Sequence, residues 1–119
     1  MKKCRITVLK KCLHVDLVKE YGEGGNQFPV CPVYEVGDEF ITTFIKPEGF
    51  CEDAWQSIYY YVFALSAGCG KIYDDWVKEP GIAISCCNDG LRPVIFKIEQ
   101  LDEEVHTVYP ATWHQSGKN

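Results

Sequence analysis

The alternation of apolar and polar positions predicts β-strands in several segments of the chain. Residues 4–10 alternate and are rich in β-branched side chains, which indicates a first strand. Residues 39–45 carry β-branched and aromatic side chains at both sets of alternating positions, so we expect both faces of this strand to be covered. Residues 81–85 and 94–101 predict a hairpin, and the Asn-Asp-Gly sequence at 88–90 favours a turn with positive φ.

Two helices are predicted from capping residues and apolar spacing. A short helix begins with Asp16 as its cap and stops at Gly22. A longer helix opens at about Ala54, where Asp53 and Gln56 resemble a capping box, and it runs to the glycines near residue 70. Aromatic side chains surround most of the longer helix. We therefore expect the sheet or a second copy of the chain to cover its far face, and we favour a homo-oligomer.

Together these elements predict one α+β domain, residues 1–101. We expect an antiparallel or mixed sheet of about five strands, packed on one long helix and one short helix. A chain of 119 residues suits a single core, and 46% hydrophobic residues exceed what a disordered chain carries. From residue 102 onward, a run of charges and a polar end predict a C-terminal tail, 102–119, with Tyr109 and Trp113 as docking points.

Net charge and hydropathy exclude two classes of partner. Twelve basic and seventeen acidic residues give a net charge of -5, which disfavours nucleic acid and anionic lipid. Five of the basic residues cluster within positions 2–11, but the strand between them indicates solvated strand ends. The longest uncharged run, 54–70, is too short for a membrane span and contains polar residues. We therefore expect the protein to bind neither nucleic acid nor membrane.

Seven cysteines in a short chain raise the question of a disulfide framework. Their number is odd, and the start of the chain lacks the apolar core of a signal peptide. We therefore expect reduced thiols and a cytoplasmic protein.

Two of the cysteines, Cys86 and Cys87, are adjacent, and strand alternation separates their environments. In a strand that ends at residue 86, Cys86 shares a face with Ile82 and Ile84, so we expect it to turn inward as a core residue. Cys87 enters the turn, where we expect it to be the more available thiol of the pair.

Cys51 is the best candidate for a nucleophile. It stands just before the predicted long helix, where unpaired backbone N–H groups and the helix dipole stabilise a thiolate. Glu52 and Asp53 oppose this effect because they compete for the same positive end of the helix. For each thiol taken alone, inert packing is a competing interpretation.

Three cysteines, Cys31, Cys51 and Cys87, fall at loops or at the ends of predicted elements, where functional groups tend to lie. Together with Cys86 they supply four thiolates, enough for a tetrahedral zinc site or an iron-sulfur cluster. The chain contains no C-x-x-C pair, so the spacing is not that of a common structural zinc site.

Four motifs carry a resemblance to a known family. RITVLK, CPVY, PEGFC followed by AW, and CCNDGLRPVIFKIE resemble motifs of a group of short prokaryotic proteins, over about residues 5–101. The resemblance brings no activity with it, but it implies which positions belong to the family pattern. Cys4, Cys12 and Cys69 fall outside that pattern. The family positions it implies are Cys31, Cys51, Cys86 and Cys87, with Trp55, Asp89, Gly90 and Arg92.

Three functional hypotheses follow from these residues. The first, which we favour, is a small protein that holds zinc or an iron-sulfur cluster through the four family cysteines. The second is a thiol enzyme or redox sensor in which Cys51 attacks and Cys87 or Cys31 resolves. In that case Arg92 would stabilise a thiolate or a bound anion. The third is an interaction or structural protein whose thiols only pack and whose tyrosine-rich helix is the interface.

Overall fold

A computed structural model describes residues 1–106, in which four strands form one sheet that packs against a long helix. In chain order the elements are β1 (Lys2–Lys11), α1 (Val15–Tyr21), a 3-10 turn (Gly25–Gln27), β2 (Glu39–Thr42), α2 (Glu52–Ser66), β3 (Ile82–Cys86) and β4 (Val94–Glu104). All strand pairs are antiparallel, in the order β2-β1-β4-β3. The predicted α+β class is confirmed, with four strands in the described residues where about five were expected. No helix within residues 1–106 is long and apolar enough to span a membrane.

The core lies between α2 and one face of the sheet. β1 and β4 are the two central strands, and over about half of each strand, at 4–8 and 94–98, every second residue is buried, as the two-residue period of a strand requires. The apolar stripe of α2 covers this face, with Ile58, Val62 and Leu65 fully buried. The strand residues that complete the core are Cys4, Ile6, Val8, Ala83, Val94, Phe96 and Ile98.

The orientation of β3 is the reverse of the one predicted from its alternation. Ala83 is fully buried on the side of α2, whereas Ile84 is 36% exposed on the opposite face. The register explains this, since Ala83 pairs with Ile98 on the buried face of β4, and Cys86 pairs with Ile95 on the other face. The prediction that Cys86 turns inward is therefore wrong. Alternation assigns residues to two faces, but it does not say which face a helix will cover.

β2 is a short edge strand and not the seven-residue strand predicted at 39–45. It ends at Thr42 because the Thr42 hydroxyl donates to the Ile45 carbonyl, and Phe44 then adopts a positive φ of 45°. Ile41 is 49% exposed on this strand. The expectation that both faces are covered is therefore wrong, because the outer face is open to solvent at Ile41.

α1 begins one residue earlier than its predicted cap. The helix starts at Val15, after His14, and the His14 side chain makes no capping hydrogen bond. The N–H of His14 instead donates to the Leu91 carbonyl at 2.9 Å. The predicted cap at Asp16 is therefore wrong because Asp16 already lies inside the first turn, while the predicted stop at Gly22 is confirmed.

The connection between β3 and β4 is a loop, 87–93, and not a tight turn. None of the positive-φ residues lies in it, so the predicted turn at 88–90 is wrong in this respect. The Asp89 side chain organises the loop instead, because its carboxylate accepts the N–H of Leu91 at 2.9 Å and that of Arg92 at 3.3 Å.

β4 starts directly after Pro93, as expected of a residue that cannot donate to a ladder. It continues to Glu104, and the N–H of Val105 donates to the Met1 carbonyl at 2.7 Å. The sheet therefore extends past the predicted start of the tail. The rest of that tail, with its predicted docking points, lies outside the described residues.

α2 buries one side and exposes aromatic residues on the other. Tyr59, Tyr60 and Phe63 are 38%, 62% and 45% exposed. Within one chain the helix therefore keeps an open aromatic side, and the expected homo-oligomer stays a prediction.

Candidate functional site: a cysteine-lined cleft

A cleft of about 150 Å³ opens at the start of α2 and brings together three of the four predicted site cysteines. Its walls come from the loop before β2, the first turn of α2 and the β3–β4 loop, which are distant in sequence. We call Cys31, Cys51 and Cys87 the cleft thiols. The other polar side chains that matter here are Tyr34, Asp53, Asp89 and Arg92.

Cys51 is the N-cap residue of α2, so it stands at the helix start as predicted. Its side chain forms no capping hydrogen bond, lines the cleft and is partly buried against the core. The backbone N–H of Cys51 donates to the Tyr34 hydroxyl oxygen at 2.9 Å. The capping box predicted at Asp53 and Gln56 is wrong because α2 begins at Glu52, so Asp53 already lies inside the first turn.

One of the two acidic residues at the helix start is paired. Lys46 Nζ lies 2.6 Å from Glu52 Oε2, and this hydrogen bond, together with the Lys46 charge, holds the pKa of Glu52 below its ordinary value. The nearby cation offsets part of the negative charge that Glu52 brings to the helix start. Asp53 is exposed and lines the cleft. The sequence predicted that Glu52 and Asp53 compete with a Cys51 thiolate for the positive end of the helix. In the structure, this competition therefore comes mainly from Asp53.

Cys87 is held on the cleft wall by two contacts with Val94. The N–H of Val94 donates to Cys87 Sγ at 3.2 Å, and the N–H of Cys87 donates to the Val94 carbonyl at 3.1 Å. A backbone N–H aimed at a sulfur stabilises negative charge on it. The Cys87 side chain is half-buried and packs against the core. The residue that follows β3 thus turns towards α2, beside the other cleft thiols.

Arg92 connects the β3–β4 loop to the loop that carries Cys31. Its Nε donates to Asp89 Oδ2 at 3.2 Å. Its Nη1 donates to the Pro29 carbonyl at 3.5 Å, and its guanidinium lies 5.1 Å from the centre of the Phe28 ring. Arg92 therefore holds two walls of the cleft together, and its predicted action on a thiolate or a bound anion stays a prediction.

The carboxylate of Asp89 stays ionised at neutral pH. Burial alone would raise its pKa, but the N–H groups of Leu91 and Arg92 and the Arg92 guanidinium together hold the pKa of Asp89 below its ordinary value. The ion pair of Asp89 and Arg92 therefore adds no net charge beside the cleft thiols.

Tyr34 is a cleft residue that sequence reasoning missed. It is 3% exposed, and its ring packs edge-on against Phe40 and Phe96, with centroid distances of 5.9 Å and 5.4 Å. The pKa of Tyr34 is raised to about 12, chiefly by burial. Negative charge on the cleft thiols, that of Cys51 first, also raises this pKa, whereas the hydrogen bond from the N–H of Cys51 lowers it. All three cleft thiols therefore lie near this hydroxyl. The signal in the sequence was the motif CPVY, which begins at Cys31.

Cys86 lies on the opposite face of the sheet, away from the cleft. Burial raises the pKa of the Cys86 thiol, and the charges of Cys87 and Cys12 raise it further. The structure therefore does not bring the four predicted metal ligands together, because β3 directs its last residue outward. Within residues 1–106, no three Cys, His, Asp or Glu side chains form a group that could hold a metal ion. Binding of zinc or an iron-sulfur cluster stays a prediction.

Comparison with protein-family models, with curated proteins and with solved structures finds no match for this chain. The resemblance based on the four motifs therefore stays a prediction. The chemistry of the cleft follows from its geometry alone.

Proposed function

We propose that the cleft is a thiol-disulfide redox site in which Cys51 is the nucleophile. The observation that carries this proposal is the meeting of three thiols, from three distant segments, at the start of a 15-residue helix. The Cys51 sulfur has no capping partner, and the N-terminus of a helix stabilises negative charge. Cys31 and Cys87 line the same cleft and provide a second thiol for the exchange.

The reaction partner that suits this cleft is a small disulfide, because about 150 Å³ admits one end of a small molecule. The Cys51 thiolate attacks one sulfur of that disulfide, the S–S bond breaks, and one small thiolate leaves. Cys31 or Cys87 then loses its proton and attacks the Cys51 sulfur, which releases the second small thiol. Overall, two protein thiols are oxidised to one disulfide, and one small disulfide is reduced to two thiols.

Alkylation of the reduced protein by iodoacetamide at pH 7, followed by peptide mass spectrometry, tests this proposal. We expect Cys51 to react about tenfold faster than an unstructured peptide thiol. Cys51→Ser should abolish the fast phase, whereas Cys69→Ser, which changes a thiol outside the cleft, should keep it. Oxidised glutathione should then yield a disulfide between Cys51 and one other cleft thiol. Uniform, peptide-like reactivity of all the thiols would refute the proposal.

The metal hypothesis predicts a different result for the same protein. Elemental analysis after purification without oxygen would then give about one zinc, or several irons, per chain. Such a content, lost in Cys51→Ser and kept in Cys69→Ser, would replace the redox proposal with a metal site. Metal-free protein with a fast Cys51 would support the redox site.

We further propose that the chain forms a homo-oligomer through the outer side of α2. Tyr59, Tyr60 and Phe63 are exposed there, and aromatic side chains are enriched at interfaces. α2 carries no charged residue after Asp53, so two copies of this side would meet without charge repulsion. Light scattering at micromolar concentration should show an oligomer that Tyr60→Ser with Phe63→Ser dissociates. A monomeric wild-type chain would contradict this expectation.

We assign the protein to the reducing cytoplasm. All seven cysteines are free thiols, and free thiols persist where glutathione and thioredoxin keep them reduced. Labelling of thiols in intact cells, before lysis, should find them reduced. A cellular pool in which most of them are paired in stable disulfides would contradict this assignment.

A further inference from the structure

We infer that the Tyr34 hydroxyl donates a hydrogen bond to the sulfur anion that forms in the cleft, with Cys51 as its first partner. This inference rests on the proposed thiol chemistry. It adds to that chemistry a residue that positions and stabilises the reacting sulfur.

The direction of the hydrogen bonds leaves the Tyr34 proton available. The Tyr34 oxygen accepts the backbone N–H of Cys51 at 2.9 Å, so one lone pair is occupied. Among the residues that the structure describes, none accepts the hydroxyl proton of Tyr34. A phenol has one O–H to donate, and a thiolate is an acceptor without a proton of its own. The Tyr34 proton is therefore free for donation, and one of the cleft thiols belongs to Cys51, the residue whose N–H the hydroxyl oxygen already binds.

The surroundings of Tyr34 hold the hydroxyl in place. The ring is enclosed by Phe40, Phe50 and Phe96, with centroid distances between 5.4 Å and 5.9 Å. Lys11 Nζ donates to the backbone carbonyl of Tyr34 at 2.7 Å, which anchors the main chain to β1. A donor that is already oriented in an apolar site stabilises a new charge without reorganisation.

The surroundings of Tyr34 favour the neutral phenol, chiefly because the hydroxyl is buried. Burial raises the pKa of Tyr34 to about 12, so its O–H is present throughout the neutral range. The Lys11 ammonium lies at the backbone carbonyl, and Asp53 lines the cleft. Asp89 and Arg92, on the remaining wall, are paired with each other. The phenol therefore keeps its proton for donation to a neighbouring sulfur.

Tyr34→Phe tests the inference because it removes the hydroxyl and keeps the aromatic ring. The readout is the rate of Cys51 alkylation by iodoacetamide between pH 5 and pH 10. We expect the half-maximal rate to move about one pH unit upward, and the rate at pH 7 to fall about tenfold, as the loss of a charge-assisted hydrogen bond requires. Tyr21→Phe, which changes an exposed tyrosine at the end of α1 and outside the cleft, should leave the profile unchanged.

Three outcomes separate the inference from the proposed function. A wild-type chain without a fast Cys51 refutes the redox site and this inference with it. A fast Cys51 whose pH profile is the same in Tyr34→Phe overturns the inference alone. If Tyr34→Phe does not fold, the ring Cζ signal of ¹³C-labelled Tyr34 in the wild-type chain decides. That signal should shift with the pH profile of Cys51, and a signal that ignores Cys51 ionisation overturns the inference.

Discussion

Replacing Cys87 with alanine should destabilise the fold more than the same change at the neighbouring Cys86. The Cys87 sulfur accepts the N–H of Val94 at 3.2 Å and packs against the core. Cys86 lies on the open face of the sheet, opposite Ile95 in the register. The two variants delete the same atom from adjacent residues, so their difference measures the environment of each thiol.

The structure allows the size of this difference to be worked out. Loss of the Val94 hydrogen bond costs about 1 kcal/mol, because a half-buried N–H loses its partner. Loss of the packed sulfur adds about 0.5 to 1 kcal/mol, by analogy with one buried methylene. We therefore expect Cys87→Ala to lower the free energy of unfolding by about 1.5 to 2 kcal/mol. Cys86→Ala should lower it by only about 0.5 to 1 kcal/mol, because its partly buried sulfur lies outside the core and accepts no hydrogen bond among the described residues.

Urea unfolding under reducing conditions, followed by tryptophan fluorescence, measures both free energies, and a constant slope m checks that the denatured state has not changed. Cys87→Ser should recover about half of the loss, since a hydroxyl oxygen also accepts the Val94 N–H. If Cys86→Ala were the more damaging variant, Cys86 would be the inward residue. The assignment of Cys87 to the cleft would then be refuted.

Two further predictions concern side-chain contacts that stabilise the fold. Gln100 Nε2 donates to the carbonyl of Leu65, in the last turn of α2, at 2.7 Å, and to that of Cys69, just past the helix, at 3.1 Å. Gln100→Leu should therefore lower the free energy of unfolding by about 2 kcal/mol in urea, whereas the exposed control Gln56→Leu should change it by under about 0.5 kcal/mol. Because the pKa of Asp89 is held below its ordinary value, its ionised form stabilises the fold above that ordinary value, and this contribution is lost as the pH falls through the lowered pKa. The urea midpoints of wild type and Asp89→Ala should thus keep their gap above the ordinary aspartate pKa of about 3.9 and converge as the pH falls below it, and a gap that stays constant in acid would show that the Asp89 charge does not stabilise the fold.

The central elements of the fold could be predicted because local pattern is enough to specify them. β1 and β4 alternate around residues such as Ile6 and Phe96, and the helical spacing of Ile58 and Val62 marks the buried side of α2. Gly68, just past the end of that helix, has a φ of 105°, a conformation that a glycine adopts at little cost. Periodicity is a property of neighbouring residues, so it survives without knowledge of the tertiary fold.

The edges of the sheet and the helix starts were predicted less well because their determinants are distant in sequence. α1 starts beside a residue whose N–H binds the Leu91 carbonyl, and Cys51 at the start of α2 binds the Tyr34 hydroxyl. β2 ends where the Thr42 side chain bonds to the backbone three residues later. Capping rules and β-propensity describe average surroundings, and these particular contacts override them.

The sequence by itself identified Cys31, Cys51 and Cys87 as candidate functional thiols, because functional groups lie at loops and at the ends of elements more often than within elements. Only the tertiary structure decided that these three share a cleft, that Cys86 does not, and that Tyr34 belongs with them. The physical reason is that the face of a strand is chosen by the helix that packs on it. Likewise, a buried tyrosine resembles any core aromatic residue until the partner of its hydroxyl is known.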